Sequence, residues 1–278
     1  MTMTSITKPI QDGRITALKN EHDTLSLLHR FGWLRSRDLA DLIWNDSKST
    51  SSAIAMAQRT IKRLKESGQL LHRMAPDGAT VYSLAEAGAR RLGDECGIAA
   101  KSGKDLIREL GNYTHRCNAN SFAIYRLNSG QKIWTEREIQ SGKAPIKAIN
   151  HKVPDGLVDI TDGLYAEGTL VLAWVEVEAG YKKNTDFYKM LRFAFNILGP
   201  LDSQDMPVNT LFCAADDVYI GEVFIQIVDE AQLNRIVNAV RAEKLNDPYG
   251  YAWGKIEAQL FLAGLAGKSY PISIWLPD

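Results

Sequence analysis

The sequence predicts a mixed α/β protein of two domains, the first helical with a small hairpin and the second built on a mixed sheet. Three apolar stripes at helical spacing lie between residues 24 and 64, and two short strand-like segments follow them. After a run of small residues, a helix, a series of strands, a second helix and further strands follow one another. We therefore assign residues 13–95 to the first domain, 96–104 to a linker and 105–278 to the second domain.

The first domain is predicted to begin with three helices. Apolar residues at helical spacing in 24–31 mark the first helix, which Gly32 ends. Ser36 is a candidate N-cap for the second helix, whose apolar stripe lies on residues 39–43. The third helix is predicted to begin near Ser52, with its apolar side facing inward and its basic side chains pointing outward.

A hairpin and a fourth helix complete this domain. Residues 69–73 and 80–84 are predicted to be strands that flank a turn, and a helix is predicted at 86–92. Three helices and a hairpin make a winged helix, in which the third helix enters the major groove of DNA. The candidate DNA-binding residues are Arg59, Lys62, Arg63 and Lys65 on that helix and Arg73 at the base of the hairpin. We therefore expect double-stranded DNA as a partner; a solvated basic face and a protein-binding winged helix are the alternatives.

The second domain is predicted to begin with a long helix over residues 105–127. Three strands follow at 133–139, 147–160 and 170–178, and then a helix at 187–198. Further strands at 208–214, 223–227 and 271–276 and a helix at 233–244 complete the domain. An order of helix, meander, helix and strand is typical of a restriction-endonuclease-like mixed sheet.

An acidic motif lies on the central strands of this domain. Asp155 follows Pro154 at the start of a strand-like segment, and Glu176 and Glu178 lie at the end of another. Because side chains alternate along a strand, Glu176 and Glu178 are expected to share one face. Cleavage of a phosphodiester needs a hard cation held by carboxylates and a second cation near the attacking water. We therefore expect Asp155 and Glu176 to hold Mg²⁺ or Mn²⁺; the alternative is a turn and a solvated strand face.

The motif resembles that of the PD-(D/E)XK nuclease superfamily, with Pro154 and Asp155 as its first element and residues 176–178 as its second. The superfamily has a lysine where this chain has its second glutamate, so Lys182 or Lys183 in the following turn is the candidate for the amine. The resemblance implies either a metal-dependent DNA endonuclease or nickase, or a degenerate domain that does not cleave. The candidate catalytic residues are Asp155, Glu176, Glu178 and Lys182, of which Asp155 and Glu176 are the candidate metal ligands.

The two halves together resemble the replication-relaxation family of plasmids and integrative elements, whose members join a winged helix to a degenerate PD-(D/E)XK-like domain. The resemblance covers about residues 16–198 and rests on the winged helix, His115, residues 153–156 and residues 175–180. It implies a DNA-binding accessory protein in plasmid mobilisation, conjugation or replication, with a relaxase or another relaxosome protein as partner. Where family members often have Glu-x-Asp followed by arginine and glycine, this chain has Glu-Val-Glu-Ala-Gly and lacks the arginine.

Composition narrows the remaining classes of function. The chain has 33 Lys and Arg against 33 Asp and Glu, so contact with nucleic acid must come from local basic patches. Its three cysteines are widely spaced, and we expect buried thiols in a reducing cytoplasm. The sequence contains no signal peptide, membrane span, P-loop or GxGxxG motif, so we expect a cytoplasmic protein without membrane contact or nucleotide chemistry. A winged-helix transcription repressor and a homodimer are further alternatives.

Overall fold

The computed structural model describes residues 12–108, 110–162, 167–178, 180, 184–198, 212–227, 256–265 and 268–275, together with 231, 232, 234, 235 and 238. The predicted mixed α/β class is confirmed, since helices and a mixed sheet are both present. The chain divides into two compact units, Met1–Leu110 and Gly111–Asp278, which are called here the first unit and the second unit.

The first unit is helical and carries a small antiparallel sheet. Its elements are α1 (Gly13–Phe31), β1 (Leu34–Arg35), α2 (Ser36–Ile43), α3 (Thr50–Glu66), β2 (Leu70–Met74), β3 (Thr80–Leu84), α4 (Glu86–Cys96) and α5 (Lys104–Arg108). The strands pair in the order β1-β3-β2, and β2 and β3 form the predicted hairpin. The apolar stripes of the first three helices are buried, with Leu25, Leu28, Leu39 and Leu64 among their core residues.

Three helix starts differ from the prediction. Helix α1 begins at Gly13, eleven residues before the apolar stripe at 24–31 that predicted it. Helix α2 begins at Ser36, but Arg35 is its N-cap, because the N–H and the guanidinium of Arg35 both bind the carboxylate of Asp38 (2.9 and 2.8 Å). Helix α3 begins before Ser52, whose N–H donates to the hydroxyl of the N-cap residue Ser49 (3.2 Å). In α2 and α3 a side chain satisfies a backbone N–H that the helix leaves unpaired.

Residues 96–104, predicted to be a linker, belong to the first unit. The chain turns back after α4, and the N–H of Gly103 donates to the carbonyl oxygen of Leu84 in β3 (2.9 Å). A Cβ on Gly103 would lie 1.6 Å from Oγ of Ser83, so a glycine is required here by close packing. The division between the units therefore lies at residues 110 and 111.

The second unit is built on one mixed sheet. Its elements are α6 (Tyr113–Asn128), β4 (Ile133–Thr135), α7 (Glu136–Gln140), β5 (Gly156–Asp159), β6 (Leu170–Glu178), α8 (Asn184–Leu198), β7 (Phe212–Ala215), β8 (Val218–Ile227), β9 (Ile256–Leu265) and β10 (Lys268–Trp275). The strand order is β10-β9-β8-β6-β5-β4, and β7 pairs with β8 off this path. The β6–β8 and β8–β9 pairs are parallel, whereas the β4–β5, β5–β6, β7–β8 and β9–β10 pairs are antiparallel.

Two predicted elements of this region are interrupted in the structure. The long helix predicted at 105–127 is broken, because Asn112 takes a left-handed conformation (φ 55°) between α5 and α6. The strand predicted at 133–139 ends at Thr135. The hydroxyl of Thr135 accepts from the N–H of Glu138 (3.3 Å), and the carboxylate of Glu138 accepts from the N–H of Thr135 (2.9 Å). This reciprocal capping box starts α7.

The other predictions for the second unit agree only in part with the structure. The helix predicted at 187–198 and the strand predicted at 223–227 lie within α8 and β8. The strand predicted at 147–160 is confined to β5. Residues 208–211 and most of 233–244 lie outside the described part of the chain.

The sheet of the second unit has a helix on each face. On one face Trp174 of β6 packs with α8 in the main core. On the other face the ring centroid of Phe122 in α6 lies 6.2 Å from that of Phe224 in β8. Strand β6 is buried on both faces, and Glu176 and Glu178 are only 5% and 3% exposed. A solvated strand face is therefore the wrong interpretation of these glutamates.

Candidate functional site

Strand pairing brings Asp155 next to Glu176. Gly156, the first residue of β5, pairs with Val175 of β6. The N–H of Asp155 donates to the carbonyl oxygen of Val175 (3.0 Å). Because opposite residues of an antiparallel pair lie side by side, this register places Asp155 at the level of Glu176.

The carboxylate of Asp155 is held by two donors within the second unit. Its Oδ2 accepts from the N–H of Val177 in β6 (2.8 Å). Its Oδ1 lies 3.0 Å from Nε2 of His115, in the first turn of α6. His115, which the family resemblance singled out, therefore contacts the first acid of the motif.

Glu176 is buried, and one of its oxygens is bound by two groups. The indole N–H of Trp174 donates to Oε1 (2.5 Å), and Nζ of Lys152 lies 2.8 Å from the same oxygen. The ammonium of Lys152 also lies 4.6 Å from the ring centroid of Phe193 in α8, a cation–π contact. Burial raises the pKa of Glu176 above its ordinary value, and the charge of Asp155 adds to this, whereas Lys152 opposes it.

Lys152 is a site residue that the sequence interpretation missed. It ends a tight turn in which Ile149 and Lys152 exchange two backbone hydrogen bonds (3.0 and 2.9 Å). The two residues inside this turn, Asn-His at 150–151, have left-handed backbones (φ 49° and 65°). The Asn-His dipeptide could have predicted a tight turn before Lys152, because asparagine tolerates a left-handed backbone. The amines predicted instead, Lys182 and Lys183, lie outside the described residues.

Mg²⁺ or Mn²⁺ at this position would need oxygen atoms of Asp155 and Glu176 as ligands in a regular geometry. Both oxygens of Asp155 and Oε1 of Glu176 already meet nitrogen donors, one of which is the ammonium of Lys152. Glu178 is buried on the same face of β6 as Glu176. Within the ranges that the structure describes, no three Asp, Glu, His or Cys side chains are placed to hold a metal ion. The residues present therefore fit an internal salt bridge better than a cation site.

The raised pKa of Glu176 predicts a pH-dependent stability. A carboxyl whose pKa is higher in the folded chain than in the unfolded chain binds its proton more tightly when folded. The tighter proton binding stabilises the folded chain. Its contribution is complete below the unfolded pKa of about 4.3 and is lost as the pH rises through the folded pKa. We expect the Tm of Glu176→Gln to improve relative to the wild type as the pH rises from about 4 to about 7, because glutamine does not titrate. A Tm difference that stays constant across this range would contradict the raised pKa.

All five predicted DNA-binding residues are exposed, and three of them lie on the outer side of α3, without a hydrogen bond or ion pair to another helix in the described part of the chain. Arg59, Lys62 and Lys65 are exposed on the outer side of α3. The guanidinium of Arg59 stays on its own helix, with Nε 3.3 Å from the carbonyl oxygen of Ala55. Nζ of Lys62 lies 3.8 Å from Glu66, and 76% of the Lys62 side chain is exposed. Contacts of this kind are weak and leave both charges accessible to a ligand.

The other two, Arg63 and Arg73, are held by neighbouring elements of the first unit. Nε of Arg63 donates to Glu21 of α1 (2.9 Å), and Nη1 of Arg73 donates to the carbonyl oxygen of Ile107 in α5 (3.1 Å). Glu21 also binds Arg91 of α4 (3.0 Å). Burial alone would raise the pKa of Glu21, but hydrogen bonds from Arg63 and Arg91 hold it below its ordinary value. A phosphate must therefore compete with these internal partners.

No family model, curated protein or solved structure matches the chain. Among the helices of the described residues, none is both long enough and apolar enough to cross a membrane.

Proposed function

We propose that this protein is a DNA-binding accessory protein of a plasmid or integrative mobile element, and that it binds duplex DNA through α3. The observation that carries the proposal is the exposed row of Arg59, Lys62 and Lys65 on a helix whose other side is buried in the first unit. These residues recur at every third position, so they lie along one side of the helix. The order of α2, a short connection, α3 and the β2–β3 hairpin supports a winged helix as the frame.

Salt dependence tests this interface. Replacing Lys62 by glutamine is expected to weaken duplex binding several-fold and to reduce the slope of log affinity against log salt by about one, because one phosphate contact is lost. Lys19→Gln is the matched control, since Lys19 is also an exposed helical lysine (68%) with an acid, Asp23, one turn away. Fluorescence anisotropy of a labelled duplex at several salt concentrations measures both quantities. If both variants change the slope equally, α3 is not the interface.

We further propose that the second unit is a nuclease-like domain that does not cleave DNA. The order α6, antiparallel β4–β5–β6, α8 and then β8 parallel to β6 supports a restriction-endonuclease-like core. The ion pair between Lys152 and Glu176 and the two donors on Asp155 support the absence of cleavage, because a divalent cation would have to displace them.

The biological setting rests on the resemblance to the replication-relaxation family. On this proposal the protein acts in the cytoplasm during mobilisation, relaxosome assembly or replication, with a relaxase or another mobilisation protein as partner. Specific binding to a transfer origin, compared with binding to its own promoter, separates this role from that of a winged-helix repressor. Cleavage of plasmid DNA with Mn²⁺ that is lost in Asp155→Ala would overturn the non-cleaving assignment in favour of an endonuclease.

A further inference from the structure

A thiol, an imidazole and a carboxylate lie together on the surface of the first unit. Sγ of Cys96 is 3.8 Å from Nδ1 of His22, and Nε2 of the same ring contacts the carboxylate of Glu95. His22 lies on α1, whereas Glu95 and Cys96 are the last two residues of α4. The two ring nitrogens of one histidine are thus used by an acid on one side and a nucleophile on the other, which is the arrangement that activates a thiol.

The cluster is open to solvent, and its acid is fixed in place. Cys96 is exposed, and the side chains of His22 and Glu95 are 33% and 45% exposed. Nε of Arg91, one turn earlier on α4, donates to the carboxylate of Glu95 (3.0 Å). Hydrogen bonds from Arg91 and then from His22 hold the pKa of Glu95 below its ordinary value, so it remains an anion beside the ring.

The expectation of buried thiols is wrong for two of the three cysteines. Cys117 is buried, whereas Cys96 and Cys213 are exposed. The two exposed cysteines differ in their surroundings, because among the described residues Sγ of Cys213 donates to the carbonyl oxygen of Ala215 (3.2 Å). An exposed thiol next to a histidine is more reactive than one next to a backbone carbonyl, because the imidazole can accept the thiol proton and the carbonyl oxygen cannot.

We propose that Cys96 is a reactive thiol that is oxidised by peroxides, with His22 as its base and Glu95 as the acid that orients His22. The thiol proton passes to Nδ1 of His22, and the thiolate attacks one oxygen of the peroxide. The O–O bond breaks as the S–O bond forms, and the departing hydroxide takes the proton from His22 and leaves as water. Sulfur is oxidised to the sulfenic acid while hydrogen peroxide is reduced to water.

Alkylation of the full-length chain tests the activation of this thiol. Iodoacetamide is added at neutral pH, and the modification of each cysteine is followed with time by mass spectrometry. Cys96 is expected to react roughly tenfold faster than Cys213, because His22 can accept the proton of the Cys96 thiol as the sulfur attacks the reagent. His22→Gln should bring the rate at Cys96 to that of Cys213, and Glu95→Gln should lower it in part. With hydrogen peroxide, a sulfenic-acid probe such as dimedone should label Cys96 before Cys213.

Equal rates at Cys96 and Cys213 in the wild type would overturn the proposal without any variant. An unchanged rate at Cys96 in His22→Gln would also overturn it. Buried Cys117 reports on folding in the same spectra, because its alkylation marks an unfolded chain. If His22→Gln unfolds, the wild-type ratio of Cys96 to Cys213 and the peroxide labelling still decide the question.

Discussion

Replacement of Lys152 by methionine is expected to lower the free energy of unfolding by about 2–3 kcal/mol. Methionine keeps most of the apolar stem beside Phe193 but removes the ammonium that lies 2.8 Å from buried Glu176. The carboxylate must then stay charged without its cation or take up a proton. Nζ of Lys152 is buried, but 29% of its side chain is exposed, so the expected loss is set below the roughly 3–5 kcal/mol of a fully buried pair.

Lys132→Met is the matched control for this variant. Lys132 also pairs with an acid, Asp159 (3.8 Å), and also lies over an aromatic ring, that of Trp134 (4.6 Å), but its side chain is 64% exposed. We expect a loss of about 0.5 kcal/mol or less. Urea unfolding of each full-length variant measures both losses, and Lys152→Met combined with Glu176→Gln should recover part of the larger one. Similar losses for the two lysines would show that burial does not increase the contribution of the Lys152–Glu176 pair to the free energy of unfolding.

Reversal of charge at Arg59 and Lys62 together is expected to lower the affinity for duplex DNA by roughly a hundredfold or more at low salt. Each glutamate removes a cation and adds an anion that repels phosphate. Both side chains are exposed and make only weak contacts within α3, so the Tm should change by less than about 3 °C. A band shift and a thermal melt on the same preparations separate loss of binding from loss of folding.

A control with the same change in net charge is available on other helices. Lys19 on α1 and Lys189 on α8 have side chains that are 68% and 79% exposed, and each lies near an acid of its own helix. Their joint replacement by glutamate should weaken binding by less than about threefold, the effect of net charge alone. If this pair weakens binding as much as the α3 pair, the basic face of α3 has no special role.

Periodicity in the sequence was sufficient to locate the last part of α1, together with α2, α3 and the β2–β3 hairpin, because local spacing decides which side of an element is apolar. It was insufficient at residues 96–104, because a run of small residues has the same composition whether it is flexible or closely packed. Gly103 is small because it packs on Ser83. It was also insufficient at Thr135, a good strand residue that starts a helix through its hydrogen bond with Glu138.

The acidic motif shows what depends on sequence and what depends on packing. Chain order and strand alternation alone determined that Asp155 and Glu176 belong to strand-like segments, and that the basic residues of α3 share one side. Only the tertiary structure decided that Lys152 neutralises Glu176 and that Arg63 binds Glu21. The physical reason is that the partner of a charge depends on the distance between segments that are far apart in sequence. That distance is set when the helices and strands pack together, and no local spacing encodes it.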